Sequence, residues 1–298
     1  MNKHDLPGRF MRSVNDYLRE TFGCKVYKIA LNGGFTCPNR DGKLDTRGCI
    51  FCSGGGSGEF AEDPEKSVSQ QIEDGKKLVE AKNKDGKYIA YFQAYTGTYA
   101  PASKLKLLFY EAIDHPDIVI LSVATRPDCL PEEVLDLLGE LNRIKPVWIE
   151  LGLQTIHKKT ADYIRRGYET PVYDEAVKKL HDRGITVITH VILGLPGETA
   201  DEMKETVKYV CDNRTDGIKL QLLHVLKGTD LEKEYAEGRF EVLSEDEYIL
   251  LLKECLSLIP DNVIIHRLTG DGPKKLLVAP MWSADKKHVI NRINREVL

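Results

Sequence analysis

The sequence predicts an α/β fold in which a parallel β-sheet is covered by helices. Six short apolar runs, rich in branched and aromatic residues, alternate with amphipathic stretches of helical period. Successive β–α units of this kind place their strands side by side and parallel, with the helices as crossovers. Right-handed crossovers turn such a sheet into a doubly wound sheet or into a full or partial barrel, and the pattern alone leaves these open.

Each element follows from this alternation. The six strands are predicted near residues 26–31, 88–93, 118–123, 147–151, 186–193 and 217–222. Helices are predicted near residues 63–82, 102–113, 131–141, 173–183, 200–211 and 245–258. Past Pro260 the alternation stops, and a strand-like VIIH precedes a loop and a basic amphipathic helix near 285–297. We therefore expect a single domain over residues 1–298, with a core of about 20–258 and a C-terminal extension of about 259–298.

Composition limits the class of protein. Hydrophobic residues make up 42% and charged residues 30% of the chain, which is ordinary for a globular protein. No apolar run approaches the roughly 18–20 residues of a membrane span, and the N-terminus lacks the apolar core of a signal peptide. We therefore expect a cytoplasmic protein with no membrane partner. The net charge of −4 argues against a basic surface over the whole molecule and against DNA as a partner, but not against a local RNA-binding patch.

Three of the seven cysteines are clustered: Cys37, Cys49 and Cys52 fall within sixteen residues, in a loop after the first strand. Such a loop lies at the edge of the sheet where ligands bind. Clustering of this kind favours metal ligation over disulfides, and the other four cysteines are expected to be packed thiols. A structural zinc site closes with four protein ligands. Three cysteines with no fourth nearby therefore suggest a 4Fe–4S cluster with one open iron, and a zinc site completed by a distant residue is the alternative.

At these residues the sequence resembles the radical S-adenosylmethionine (SAM) superfamily, particularly the branch of the elongator catalytic subunit and the oxygen-independent coproporphyrinogen oxidase. Phe51, directly before Cys52, matches that pattern. The eleven residues between Cys37 and Cys49 exceed the usual three, and this stretched gap is similar to the YhcC/YtqA (MnmL)-like subfamily. The resemblance implies a partial (β/α)6 TIM-type barrel that binds a 4Fe–4S cluster and SAM.

The resemblance also implies SAM contacts near the ends of strands. The segments AYTGT, ATRPD, ELGLQT and LGLPGET resemble family motifs and occur in the expected order. Ala124 replaces a glutamate of the related ETRPD motif, and His190 stands where the coproporphyrinogen branch has an aspartate. Arg166 lies twelve residues beyond Gln154, as does a SAM-contacting arginine of that branch. The residues implied to bind the cofactor are Thr96, Gly97, Thr98, Arg126, Glu150, Gln154, Arg166, His190, Gly194 and Leu195.

The segments HRLTGDG and APMW near the C-terminus are similar to the same subfamily. They imply a role in maturing tRNA wobble uridine, from a 5-carboxymethylaminomethyl group toward 5-aminomethyl. Such an enzyme needs a reducing partner such as flavodoxin or ferredoxin. One alternative is a radical SAM oxidase or lyase acting on a small molecule such as a tetrapyrrole, and another is a non-enzymatic, zinc-containing RNA-binding module. The basic C-terminal helix is either docked on the domain or an RNA-contacting surface. No catalytic acid–base pair is predicted.

Overall fold

The computed structural model describes residues 11–82, 86–270 and 272–298 of the chain. Its central feature is a seven-stranded sheet in which every neighbouring pair of strands is parallel. The strands of this sheet, in spatial order, are β1 (Tyr27–Leu31), β2 (Tyr88–Phe92), β3 (Ile118–Thr125), β4 (Val147–Gln154), β5 (Thr186–Leu193), β6 (Gly217–Leu222) and β8 (Ile264–Arg267). A separate antiparallel pair joins β7 (Val225–Leu226) to β9 (Leu277–Ala279).

Ten α-helices occur in the part of the chain that is described. They are α1 (Val14–Phe22), α2 (Val68–Val79), α3 (Ala102–Asp114), α4 (Glu132–Asn142), α5 (Lys158–Tyr163), α6 (Thr170–His181), α7 (Ala200–Asp212), α8 (Asp230–Ala236), α9 (Glu245–Leu258) and α10 (Lys286–Glu296). Side-chain caps explain several of their starts. Ser67, Thr199 and Ser244 each form a capping box with the Gln or Glu three residues later.

The crossover helices cover one face of the sheet. Strand residues that point outward, such as Leu31, Phe92 and Leu151, form one large apolar core with the buried faces of α2, α3, α4, α6, α7 and α9. The opposite face lines a cavity. A doubly wound sheet carries helices on both faces, whereas a barrel carries them outside only. The sheet is therefore a curled partial barrel, and the predicted fold class is confirmed.

Three differences from the sequence prediction concern element boundaries. The sheet has a seventh strand, because β8, expected in the C-terminal extension, pairs in parallel with β6. Helix α2 begins at Val68 instead of near residue 63, because the capping box of Ser67 sets its start. Strands β3 and β4 extend to Thr125 and Gln154, beyond the predicted ends near 123 and 151. The ATRPD and ELGLQT segments consequently begin inside strands.

The C-terminal helix α10 is docked on the domain. Val289 and Ile293 are buried in the main core. The guanidinium of Arg292 pairs with Asp246 and Glu245 at the start of α9, at 2.5 and 3.4 Å. These contacts match the docked-helix interpretation of the sequence. Within the described residues, no helix is both long enough and apolar enough to cross a membrane.

Candidate functional site

The three clustered cysteines lie on the loop between β1 and α2, and all three line one cavity on the inner face of the sheet. The backbone N–H of Cys52 donates to the carbonyl of Cys49 at 3.0 Å. Asn39, 1% exposed, donates from its amide to the carbonyl of Arg165 at 2.7 Å and lies 3.5 Å from Cys49 Sγ. The Asn that follows Cys37 in the motif therefore fastens the loop to the chain beyond β4.

Arg40, the next residue of the same motif, holds the other end of the loop. Its guanidinium donates to the carbonyls of Cys52 and Ser53 at 2.9 and 2.6 Å. It also lies 5.9 Å from the centre of the Tyr95 ring, at the end of β2. Burial raises the pKa of Cys52, and the positive charge of Arg40 opposes that rise. The arginine thus supports negative charge on this sulfur.

The donor set at this loop fits an iron–sulfur cluster. Burial raises the pKa of Cys49 to about 12, so the bare thiol keeps its proton until a metal displaces it. Cys37, Cys49 and Cys52 all line the same cavity. A structural zinc site is normally closed by four protein ligands, whereas three cysteine thiolates suit a 4Fe–4S cluster that keeps one iron open.

The cavity beneath the loop is large and positively charged. Its volume is about 830 Å³, and it runs along the inner face of the sheet from the loop to the residues that precede β1. Glu59 and Glu150 are the acidic residues among its lining. The basic residues that line it are Lys25, Lys28, Arg40, Arg126, Arg166, Lys219, Arg267 and Lys286. A cleft lined by one sign of charge concentrates ligands of the opposite sign, so this cavity suits an anionic ligand.

Comparison with families of known proteins agrees with this geometry. Residues 45–210 match the model of the radical SAM superfamily. The chain belongs to the radical SAM superfamily. Residues 215–298 match the model of the radical SAM C-terminal domain. The protein is therefore a radical SAM enzyme, and membership of this family implies a 4Fe–4S cluster and SAM as its cofactors.

Individual relatives extend the match over nearly the whole chain. YtqA of Bacillus subtilis (strain 168) is 50% identical over 285 residues, which cover 96% of this chain and 88% of YtqA. YhcC of Escherichia coli (strain K12) is 39% identical over 272 residues, covering 90% of this chain and 86% of YhcC. A more distant relative, the tRNA uridine(34) acetyltransferase of Methanocaldococcus jannaschii, is 28% identical over 163 residues, covering 54% of this chain and 30% of that protein.

A solved structure supports the fold. Elp3 of Methanocaldococcus infernus, with an N-terminal deletion, superposes with a TM-score of 0.67 at 19% identity. The superposition covers 91% of this chain and 63% of the Elp3 chain, so this chain spans less than two thirds of that structure. At this identity the likeness shows the partial barrel and nothing about the substrate.

The ten residues implied to bind SAM fall into two groups. Six line the cavity together with the cysteines: Thr96, Arg126, Glu150, Gln154, Arg166 and His190. The other four lie outside its lining: Gly97, Thr98, Gly194 and Leu195. The local contacts of each group show what these side chains do in the folded chain.

The loop after β2 packs closely on β3. The backbone N–H of Gly97 donates to the carbonyl of Ala124 at 2.8 Å, and a Cβ on Gly97 would lie only 2.8 Å from that oxygen. Glycine is therefore needed here for close approach of two backbones. Thr98 is buried on the far side, where its hydroxyl lies 2.5 Å from Thr125 Oγ1 and 2.5 Å from the carbonyl of Cys129. Both residues shape the rim without lining the cavity.

Gly194 and Leu195 support the site from behind. Gly194 has a φ of +90°, a conformation that favours glycine, and it follows β5 directly. Leu195 is buried in a small apolar cluster that includes Ile50, from the cysteine loop, and Ile192. The LGLPGET segment thus provides an apolar base for the loop.

Arg126 lies next to the cysteines. Its guanidinium forms two hydrogen bonds to the carboxylate of Asp128, at 2.9 and 2.8 Å, and stacks 5.2 Å from the centre of the Tyr168 ring. Its positive charge opposes the rise that burial causes in the pKa of Cys49. An arginine held by a carboxylate and a ring keeps its charge at a fixed place beside the sulfur.

Arg166 acts on the backbone around Gln154. Its guanidinium donates to the carbonyls of Leu153 and Thr155 at 3.2 and 2.6 Å, and to that of Tyr168 at 3.0 Å. Gln154, between the first two, has a φ of +66°, which is uncommon for a residue with a side chain. Arg166 therefore holds the strained end of β4 and positions the Gln154 amide in the cavity.

Glu150 and His190 lie deeper, inside the strands. Oε1 of Glu150 accepts hydrogen bonds from Lys28 Nζ at 2.6 Å and from the Ser122 hydroxyl at 2.9 Å. Its Oε2 accepts from Lys219 and lies 2.8 Å from His190 Nε2. Glu150 falls within the predicted fourth strand near 147–151, and it lies at the fourth position of the eight-residue strand β4, facing the interior.

Burial and neighbouring charges shift the ionisation of these groups. Burial by itself would raise the pKa of Glu150. The positive charges of Lys219 and Lys28 outweigh burial and hold this pKa well below its ordinary value. Burial lowers the pKa of Lys219 to about 7 and that of His190 to about 4, so the imidazole is neutral at pH 7. Burial also lowers the pKa of His266, and its buried Nδ1 has no partner among the described residues.

Sequence analysis missed several cavity residues: Lys28, Tyr91, Lys219, Gln221, His266 and Arg267. A signal was present, because a lysine stands between apolar residues in both β1 (YKIAL) and β6 (GIKLQL). Buried lysines are rare unless they have a partner, so such a position indicates an interior polar site. Which lysines meet in space depends on the curl of the sheet.

Proposed function

We propose that this radical SAM enzyme modifies tRNA, converting the 5-carboxymethylaminomethyl group of a wobble uridine toward 5-aminomethyl. The observation that carries the proposal is the basic lining of the cavity in a chain whose net charge is −4. An RNA substrate brings phosphates to the mouth of such a cavity, and the modified base brings a carboxylate into it.

The relatives support tRNA as the substrate class. One relative is named as a tRNA uridine(34) acetyltransferase, and it matches 54% of this chain. That name describes the other protein, and we carry over only the substrate class, an anticodon uridine. The stretched cysteine motif shared with the YhcC/YtqA-like subfamily points the same way by resemblance.

The residues around the cysteines fit the cofactors of the family. Cys37, Cys49 and Cys52 would hold a 4Fe–4S cluster, which when bound would supply the electron for reductive cleavage of SAM. Asn39 and Arg40 keep the loop in place. In this proposal the substrate hydrogen to be abstracted lies on the carboxymethyl carbon.

The C-terminal helix contributes little to this proposal. Arg292 and His288 are paired with Glu245 at 3.4 and 3.0 Å, so they hold α10 on the domain. Lys286, at the start of α10, lines the cavity. We therefore propose phosphate contacts at the cavity mouth, and not along the whole helix.

The reaction also needs a source of single electrons. We propose a small redox protein, such as flavodoxin or ferredoxin, as the reducing partner. The seven cysteines of the chain are all free, which is typical of a reducing compartment. The cytoplasm, where tRNA is modified, is the place we propose for this enzyme.

A direct test measures 5′-deoxyadenosine formed by the anaerobically reconstituted protein with SAM and dithionite, with and without tRNA. The tRNA should come from cells that lack this gene, so that unprocessed wobble nucleoside accumulates. We expect strong stimulation by this tRNA and little by tRNA from wild-type cells. An unchanged wobble-nucleoside profile in the deletion strain, measured by mass spectrometry, would contradict the proposal.

The second candidate is an oxidase or lyase acting on a small molecule such as a tetrapyrrole. The basic cavity favours it as well, because tetrapyrrole precursors carry several carboxylates that Lys28 and Lys219 can bind. Turnover stimulated by a reduced tetrapyrrole, and indifferent to tRNA, would select this candidate.

A further inference from the structure

The inner face of the sheet carries a band of ionisable side chains, here called the charged layer: Lys28, Glu150, His190, Lys219 and Arg267. Across β5, β6 and β8, His190 pairs in register with Lys219, and Lys219 with Arg267. Below the layer lies an apolar floor of buried residues, among them Ile89, Ile120, Trp148 and Ile188. Above it lies the rim with the cysteine loop.

The charged layer contains more positive than negative charge. Lys28 and Lys219 both donate to a single carboxylate, that of Glu150, and His190 is neutral at pH 7 because burial lowers its pKa to about 4. Lys219 is 3% exposed and Glu150 1% exposed. Buried charge without a counter-charge is costly, so a structural network would be expected to balance. With both lysines protonated, the pair has one negative charge too few.

The hydrogen-bonding capacity of the layer is also unbalanced. Both oxygens of Glu150 are already occupied, with two partners each. Lys28 and Lys219 each have one hydrogen-bonded acceptor, Glu150, within the described chain, although an ammonium group has three donors. Beside them the Nδ1 atom of His266 is buried with no partner among the described residues. The lysines of the cavity therefore have donors available to an oxygen atom of a ligand.

We propose that the charged layer is a subsite for a carboxylate group of the substrate, held by Lys28 and Lys219 with Glu150 as their fixed counter-ion. This inference rests on the proposed function, since it names the substrate group that enters the barrel. Lys219 stands three residues before the end of β6, which places it about 10 Å below the rim. A carboxylate bound there is separate from that of SAM, which belongs beside the cysteines at the rim.

The binding test uses the cluster-loaded enzyme with SAM present, so that the carboxylate of SAM is already in place. The ligands are 5-carboxymethylaminomethyluridine and its carboxamide, which have nearly the same size but differ in charge and in one hydrogen-bonding atom, and equilibrium dialysis measures both affinities. Wild-type enzyme should prefer the carboxylate by about tenfold or more, the amount expected from one charge-assisted hydrogen bond. Lys28→Gln and Lys219→Gln should bring this ratio close to one.

Two controls separate a subsite from general attraction and from misfolding. Lys25→Gln removes an equal charge at the exposed end of the cavity, and it should keep the preference for the carboxylate. Lys28 has a side chain 30% exposed, so Lys28→Gln should melt like the wild-type protein by circular dichroism even if Lys219→Gln does not. For an enzyme that tRNA stimulates, equal or undetectable binding of the two ligands would overturn the subsite, and a preference that survives Lys28→Gln would overturn it in every case.

A further experiment distinguishes failure of the tRNA-modifying function from failure of the carboxylate subsite. If tRNA does not stimulate turnover, the same dialysis is run with N-methylglycine and its amide. A lysine-dependent preference for N-methylglycine then retains the carboxylate subsite and assigns it to a small-molecule substrate. Stimulation by tRNA together with no carboxylate preference retains the function and removes the subsite.

Discussion

The two faces of the central sheet are built from the same strands and have opposite characters. On the outer face, residues such as Phe92, Leu151 and Leu193 are buried under helices in one apolar core. On the inner face, Glu150 and His190 from the same strands line the cavity. Because successive side chains of a strand point to opposite faces, each strand contributes one set to stability and another to function. Substitutions on the two faces should therefore have separable effects.

The largest effect on activity is expected from substitutions in the cysteine loop, because this loop carries the proposed cluster ligands and adds little to the main apolar core. Cys49→Ala removes one cluster ligand and should lower the rate of SAM cleavage by more than about 100-fold, since even substitutions behind a metal ligand cost 10–100-fold. Iron and sulfide content should fall with it. Cys24→Ala, at a half-buried cysteine before β1, should keep both. Full cluster content in Cys49→Ala would contradict the assignment.

The outer face should show the opposite behaviour. Phe109 on α3 is fully buried, and its ring centre lies 5.1 Å from that of Phe92. Phe109→Ala should lower the free energy of unfolding by about 3–5 kcal/mol because it leaves a cavity in the core. Urea denaturation of the cluster-free chain measures this change. Leu107→Ala, on the same helix at a side chain 75% exposed, should change it by less than about 0.5 kcal/mol.

A substitution in the charged layer should lower stability in a pH-dependent manner. Glu150→Gln leaves buried lysines without their counter-ion and should lower the free energy of unfolding at pH 6 by about 3 kcal/mol. The loss should be smaller at pH 9, because Lys219, whose pKa burial lowers to about 7, is then neutral. Urea denaturation at both pH values tests this sign.

The control for the charged layer is a carboxylate on the surface. Glu132 pairs with Lys179 and Arg183 at 3.0 and 2.8 Å on the outside of the barrel. Glu132→Gln should leave stability nearly unchanged at both pH values, because exposed pairs are screened by water. A pH-independent loss in Glu150→Gln would argue against charged lysines in the interior.

The smallest change in stability is expected at Gln154, the last residue of β4, whose backbone is strained. Gln154→Gly should raise the free energy of unfolding by roughly 1 kcal/mol, because glycine adopts the φ of +66° without strain. Gln154→Ala keeps the strain and should not. If the amide contacts SAM, both variants should lose about tenfold in kcat/KM for SAM. Unaltered kinetics in both would remove Gln154 from the SAM site.

Sequence reasoning succeeded where the pattern is local. The order of strands and helices and the cysteine cluster depend on near neighbours in the chain. The sequence prediction ended β3 and β4 too early. The C-terminal ends of these strands carry small and polar residues, such as Gly152 and Gln154, in place of apolar ones. The sequence prediction did not include β8 in the sheet, because β8 pairs with β6 across a long stretch of chain.

By itself the sequence determined the α/β class, the cluster of three cysteines and the family, since these depend on periodicity and on motif residues close together in the chain. The tertiary structure decided which polar residues share a site. Lys28, Glu150 and Lys219 come from strands up to 191 residues apart, and the curl of the sheet brings them into hydrogen-bonding contact. A contact of this kind depends on strand register and on which face turns inward, and neither is encoded in any single segment of the chain.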